Sequence, residues 1–315
     1  MKHSSKLVAL AAVILGSALF GTASAQTKTP TILVISHGQA SDPFWSIVKN
    51  GAMQASKDSQ VKVEYRAPET FDMVAMSQLI GAAVNQKPDG IVVSNPDPDA
   101  LGPVIKKAIA AGIPVISMNA GIAASARLGI ALHVGQEELS AGRIVGAELK
   151  KRGGTKILCV NQEVGNYSLD QRCKGVTEGF GGTVVILPTS TEPAEIESKI
   201  RAALTSDASI NVVLGLSAPL VGERAVAAVQ GLGLGGKVKV ASYDLSANFL
   251  KAIVDGKAEF AIDQQPYLQG YLPVTFLALK ARYGTIPSGN VPSGPSFVTK
   301  ETAAKVIALS AKGIR

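Results

Sequence analysis

The chain has 315 residues, with 31 Lys+Arg against 24 Asp+Glu and a formal net charge of +7. Hydrophobic residues make up 46% and aromatics 5%, a globular balance whose length exceeds a typical single domain and suggests two. The basic residues are scattered. Lys150-Lys151-Arg152 is the only tight cluster, and it reads as a solvated helix end rather than a nucleic-acid contact.

The first 25 residues read as an export signal. Lys2 and Lys6 make a positive start, an apolar run covers Leu7 to Phe20, and Ala23-Ser24-Ala25 supplies the small-x-small cleavage pattern. The apolar run is too short for a comfortable bilayer span, and no second run of spanning length follows. The mature chain is therefore expected to begin at Gln26, in the periplasm. Without the two signal lysines it carries 29 Lys+Arg against 24 Asp+Glu. No cysteine lies near the cut, so no lipid anchor is expected. Export excludes a cytoplasmic dehydrogenase or a gene regulator. In an oxidising compartment Cys159 and Cys173, the only cysteines, suit a disulfide, and equally two separate buried thiols.

From Thr31 onward short β-branched runs alternate with amphipathic stretches. Strands are predicted at Thr31–Ser36, Val61–Arg66, Gly90–Ser94 and Pro114–Met118, with helices at roughly 42–58, 71–86 and 99–111. Asp42 fits an N-cap with Pro43 at the first helical position. The scheme then repeats. Strands are predicted at Lys156–Asn161, Thr183–Leu187, Asn211–Gly215, Val238–Tyr243 and Glu259–Asp263, and helices at about 169–180, 194–205, 219–231 and 246–255. This alternation implies an α/β protein with parallel sheets covered by helices on both faces, in two successive domains. Ile286–Pro295, rich in Pro, Gly and Ser, reads as a connector.

In open α/β sheets, ligands sit beyond the carboxyl ends of the strands. There this chain places His37, Phe44, Trp45, Asn95, Asn119, Asn166, Arg172, Ser217, Asp244 and Gln264. Fixed carboxylate, amide, hydroxyl and guanidinium groups beside the only Trp suit a small polyhydroxyl ligand. Hydroxyls both donate and accept, and the C–H face of a sugar ring packs on an aromatic. Each residue also has a plain structural alternative. Trp45 could be core, Asp97 fits an N-cap, and Asp244 could cap the helix starting near Ser246. Arg172 could pair with Asp170 or Glu178, His37 could only bond a strand end, and Gln264 could only satisfy crossover backbone.

No metal or cofactor is expected, because no second His or Cys stands at ligand spacing from His37. Gly231–Gly236 matches GxGxxG literally but ends a helix and precedes a strand. The fingerprint needs strand, turn, then helix. No GxSxG elbow, HExxH or Walker loop is present. Glu163 and Asp244 could in principle form a glycosidase pair.

The segment DPFWSIVKNGAMQAS resembles the first turn and helix of the ribose-type periplasmic sugar-binding proteins. The same holds for PDGIVVSNPDPDAL, AGIPVISMN, RCKGVTEGF and VASYDLSANFLKAIVDGKAEFAIDQQP. The ordered set covers about Thr31 to Ala281. The resemblance implies two Rossmann-like domains joined by three crossovers, near Gly135-Gln136, Gln264 and Pro292–Ser296. The lobes would then be 26–135 plus 265–292 and 136–264 plus 293–315. It also implies ligand stacking by Phe44 and Trp45 and polar contacts from Asn95, Arg172, Asp244 and Gln264. The expected function is a monomeric, non-enzymatic receptor that closes on a sugar-like ligand and delivers it to an ABC permease. Alternatives are a receptor presenting its ligand to a membrane sensor, or an exported carbohydrate-acting enzyme. Where the ribose-type pattern has Asp-Arg and Asn, this chain has Asn119-Ala120 and Ser217, and NQEVGNYSLDQR is longer. A polyol, deoxysugar, furanose or autoinducer-2-like ring is therefore open as ligand.

Overall fold

The computed structural model describes residues 28–38 and 42–315. The predicted signal, residues 1–25, lies outside them. In chain order the first half folds as β1 (Thr31–Ile35), α1 (Pro43–Asp58), β2 (Lys62–Arg66), α2 (Met73–Asn85), β3 (Gly90–Val93), α3 (Pro98–Ala110), β4 (Val115–Met118), α4 (Ile122–Leu128) and β5 (Leu132–Gly135). The second half continues as α5 (Glu138–Lys151), β6 (Lys156–Asn161), α6 (Tyr167–Phe180), β7 (Thr183–Pro188), α7 (Pro193–Ser206), β8 (Val212–Gly215), a π-helical turn (Ala218–Gly222), α8 (Glu223–Gly231), β9 (Lys239–Tyr243), α9 (Ala247–Val254) and β10 (Phe260–Asp263). The chain then returns through α10 (Pro266–Tyr283), β11 (Val291–Pro292), β12 (Ser296–Val298) and α11 (Lys300–Ala311).

Two six-stranded sheets result, ordered β11-β5-β4-β3-β1-β2 and β12-β10-β9-β8-β6-β7. The central strands are buried on both faces, which is why they read as continuous apolar runs. Alternate side chains of β1 enter opposite cores. Ile32 and Val34 pack with Trp45, Val48 and Leu277, while Leu33 and Ile35 pack with Met76, Ile80 and Leu101. The second sheet repeats this. Leu158 and Val160 meet Ile196, Ile200 and Phe249, and Ile157 and Cys159 meet Val145, Leu149 and Phe180.

Every pairing is parallel except β10 with β12, which is antiparallel. The predicted parallel sheets hold except at this one edge, where β12 enters directly from the last crossover instead of through a covering helix. The capping expectations for Asp42 and Asp97 hold: Asp42 accepts from the Phe44 N–H, and Asp97 from those of Asp99 and Ala100. Lys150 and Lys151 form the last turn of α5, as expected of that cluster. Gly231–Gly236 ends α8 and precedes β9, away from any phosphate-binding turn. Cys159 and Cys173 are joined by a disulfide, with Cα atoms 6.1 Å apart, tying α6 to β6.

Three crossovers link the lobes, after β5, after β10 and between β11 and β12. They run side by side. The Ser293 N–H donates to Gly135 O, and Gln265 Nε2 donates to Ser293 O.

Candidate functional site

A cleft open to solvent lies between the carboxyl ends of the two sheets, with about 370 Å³ of space when the part open to solvent is counted. It is lined by His37, Asp42, Phe44, Trp45 and Asn119 from the first lobe and by Gln162, Glu163, Asn166, Ser168, Leu169, Arg172, Leu216, Ser217 and Asp244 from the second, with Gln264 of the middle crossover between them. The lobes meet around it. The Tyr167 N–H donates to Pro96 O at 2.9 Å, and His37 Nε2 lies 3.7 Å from Glu163 Oε2.

Strand ends set the first wall. Trp45 lies on α1 at its start, where its ring covers the backbone after β1. A Cβ on Gly38 would fall 1.7 Å from the indole, so only glycine allows this approach. His37 stands edge-on to Trp45 with ring centroids 4.7 Å apart, and its Nδ1 is 2.8 Å from Ser94 Oγ. Trp45 is thus both core and cavity wall. Asn119 and Asp244 mirror each other. Each directly follows a strand, β4 and β9, with φ of 60° and 67°. Asn and Asp tolerate this left-handed region better than most residues, and strained positions of this kind gather at functional sites.

The second wall is built on the α5–α6 pair. These helices cross so closely that a Cβ on Gly142 would sit 2.4 Å from Arg172 O and one on Gly175 would sit 2.2 Å from Leu139 O. The approach brings Arg172 onto Glu138. Arg172 Nε donates to Glu138 Oε2 at 2.5 Å and Nη2 to Oε1 at 2.9 Å, with both side chains 3% exposed. Nη2 also donates to Gln264 Oε1 at 3.1 Å, and the guanidinium lies 4.6 Å from the Tyr243 ring centroid. Burial alone would weaken the guanidinium's hold on its proton. The adjacent Glu138 charge and hydrogen bonds, helped by Asp244, outweigh that and keep it charged. Neither Asp170 nor Glu178 is its partner: Asp170 accepts from Asn161 and Glu178 from Arg143.

Asp244 does not cap α9. Ser246 does, accepting from the Phe249 N–H. Instead Asp244 Oδ1 accepts from Gln264 Nε2 at 2.5 Å. Burial pushes its carboxyl up to about 7 against the pull of Arg172 and Gln264, with the Asp42 and Glu138 charges adding to the rise. Asp42 is likewise pushed to about 7 by burial, opposed by the Phe44 N–H and reinforced by Glu163. Glu163 goes the other way. Burial raises it, but His37, Asn166 and Arg172 together hold it below the ordinary carboxylate range.

Nine of the ten residues predicted for the site line this cavity. Asn95 does not. It is fully buried two residues beyond β3, with neither amide atom partnered among the described residues. Gln264 uses its side chain toward Asp244, Arg172 and Asn119 rather than toward crossover backbone. Asp42, Gln162, Glu163, Ser168, Leu169 and Leu216 also line the cavity without having been expected as ligand residues, and Glu138 stands behind Arg172. Gln162 and Leu216 directly follow β6 and β8, a position that could have marked them. Ser168 and Leu169 precede Arg172 by one helical turn. Two buried atoms of the lining, Ser217 Oγ and Gln162 Oε1, have no hydrogen-bond partner in the protein among the described residues. Such groups in a native cavity need an external partner.

Comparison with known proteins agrees over most of the chain. Residues 32–285 match the profile of a family described as periplasmic binding protein domain. A crystal structure of a carbohydrate transporter from Acidothermus cellulolyticus 11B, in complex with myo-inositol, superposes with a TM-score of 0.86 at 37% identity, covering 91% of this chain and 100% of that one. The xylose/arabinose-binding protein XylF of Sulfolobus acidocaldarius is 26% identical over 85% of this chain and 70% of its own. The ribose import binding protein RbsB of Escherichia coli is 23% identical over 82% and 87%.

Proposed function

The chain belongs to the periplasmic binding protein domain family, and we propose that it is the solute-binding component of an ABC importer, closing its two lobes on a ring-shaped polyhydroxyl ligand. The observation that carries this reading is the cavity itself. Both lobes and one crossover line it, an aromatic wall faces carboxylates and a guanidinium, and buried polar atoms there lack partners among the described residues. Hinge closure around a ligand is the motion this arrangement serves. The myo-inositol complex of the 37% identical carbohydrate transporter puts cyclitols first among candidate ligands, ahead of aldoses and deoxysugars.

In this reading the lobes are 26–135 plus 265–292 and 136–264 plus 293–315, a division supported by the two sheets and the three adjacent crossovers. The protein acts as a monomer in the periplasm after cleavage behind Ala25, hands its ligand to an inner-membrane permease and catalyses no reaction. Phe44 and Trp45 cover the C–H face of the ring. Asp244, Asn119, Asn166, Arg172, Ser217, His37 and Gln264 meet its polar edge, and Asn95 supports that edge from behind.

A thermal-shift panel of inositols, pentoses, hexoses and deoxysugars tests this. A true ligand at about a hundred times its Kd should add roughly 2.7 kcal/mol to stability. With Asp244→Asn, which keeps shape and loses charge, the same ligand should bind more weakly by roughly 1.5–3 kcal/mol, and the unliganded melt should move far less. Flat melts across the whole panel would remove the reading.

A further inference from the structure

Charges around the cavity do not balance. Among the described residues lining it, Asp42, Glu163 and Asp244 are carboxylates, and Arg172 is the only Lys or Arg. Arg172 is already committed to a fourth carboxylate, Glu138, by two hydrogen bonds. Glu163 has His37 at 3.7 Å and the Asn166 amide at 2.7 Å. Asp42 and Asp244 are left, one from each lobe, both on the lining of the same cavity.

Their hydrogen bonding is equally one-sided. Asp42 Oδ1 takes the Phe44 N–H and Asp244 Oδ1 takes Gln264 Nε2. No protein donor among the described residues reaches the second oxygen of either. Three amides of the cavity are engaged inside the protein, Asn119 with Gln264, Asn166 with Glu163, and Gln264 with Asp244, which leaves the Gln162 amide and the Ser217 hydroxyl as the neutral groups free to meet ring hydroxyls. Asp42 and Asp244 thus each keep an acidic oxygen that no basic side chain of the cavity meets. A hydroxyl must find both kinds of partner, whereas an ammonium has three donors and no acceptor. A buried carboxylate without a partner is costly, and a cation placed between two of them relieves both.

We propose that the ligand of this cleft is an amine-bearing ring polyol, an amino sugar or aminocyclitol, whose ammonium lies between Asp42 and Asp244. This rests on the receptor reading above and narrows it. The remaining ring hydroxyls meet Ser217, Gln162 and Asn119, and the ring face meets Trp45.

Calorimetric titration of the mature chain at neutral pH with matched pairs tests it: scyllo-inositol against 1-amino-1-deoxy-scyllo-inositol, and D-glucose against D-glucosamine. The amine should bind about tenfold or more tighter than its hydroxyl twin in at least one pair, the size expected when a neutral hydrogen bond becomes a charge-assisted one. Asp42→Asn is the decisive variant. Asn caps a helix as well as Asp, so α1 stays intact while the charge is lost, and the amine preference should vanish or invert. Asp244→Asn should do the same. A hydroxyl twin that binds as tightly as its amine overturns the proposal and leaves the polyol receptor standing. So does an amine preference that survives both variants. Failure of every compound to bind, with the fold intact by circular dichroism, overturns the polyol reading along with this one.

Discussion

Arg172→Met should cost about 3–5 kcal/mol of folding free energy, because removing one partner of a buried ion pair leaves the other charge stranded. Glu138 is 3% exposed and receives two of its hydrogen bonds from this guanidinium. Its other side-chain donor is Gln136 Nε2 at 2.9 Å, a neutral amide that cannot replace the lost charge. Both residues lie in the second lobe, on α5 and α6, so the loss should fall on that lobe's urea transition whether or not ligand is present. Adding Glu138→Leu to Arg172→Met should recover much of the loss, since an apolar pair of similar volume often matches a buried ion pair. A single variant within experimental scatter of the parent would show that water reaches Glu138 and that the α5–α6 seam does not isolate the pair.

The second large effect belongs to the disulfide. Replacing both Cys159 and Cys173 by alanine should lower stability by about 3 kcal/mol, the chain-entropy value for a loop of about 15 residues. The bridge closes a short segment of sequence separation 14, and that segment contains Glu163, Asn166 and Arg172. Affinity should fall as well, because one cavity wall loses its tether. Denaturant unfolding of the double variant beside the parent measures the first effect and ligand titration the second. Equal midpoints would mean that packing of α6 against α5 alone holds this wall.

Much of the fold was legible because central strands of a parallel sheet leave continuous apolar runs, as in Ile32–Ile35 and Leu158–Val160. What stayed hidden has physical reasons. α10 packs against α1 and against strands of the first sheet, so its apolar residues show no single stripe, and Pro273 within it argues against a helix. β11 and β12 have two and three residues, too few for a pattern. β12 also pairs antiparallel, which strand–helix alternation cannot foretell.

The lining of the candidate site was legible where chemistry and position coincided. Residues just beyond strand ends, such as His37, Asn119 and Asp244, could be picked from the sequence because the topology sends those ends to one edge. Asp42 was legible as a helix cap just beyond β1, and a cap and a polar group of a cavity wall call for the same residue type. Glu138 gave no signal. An acidic residue in the first turn of a helix is ordinary, and only the crossing of α5 and α6 shows that it faces Arg172.

The chain has one tryptophan, and it lines the cavity. Its emission therefore reports directly on whether a small polyhydroxyl ligand enters between the lobes. Fluorescence titration with inositols, aldoses and their amino congeners should give a saturable change in Trp45 emission for at least one of them, with one ligand bound per chain and a weaker response in Asp244→Asn. Emission that stays constant across the series up to millimolar concentration, in protein shown to be folded, would contradict the assignment of this cleft as the binding site.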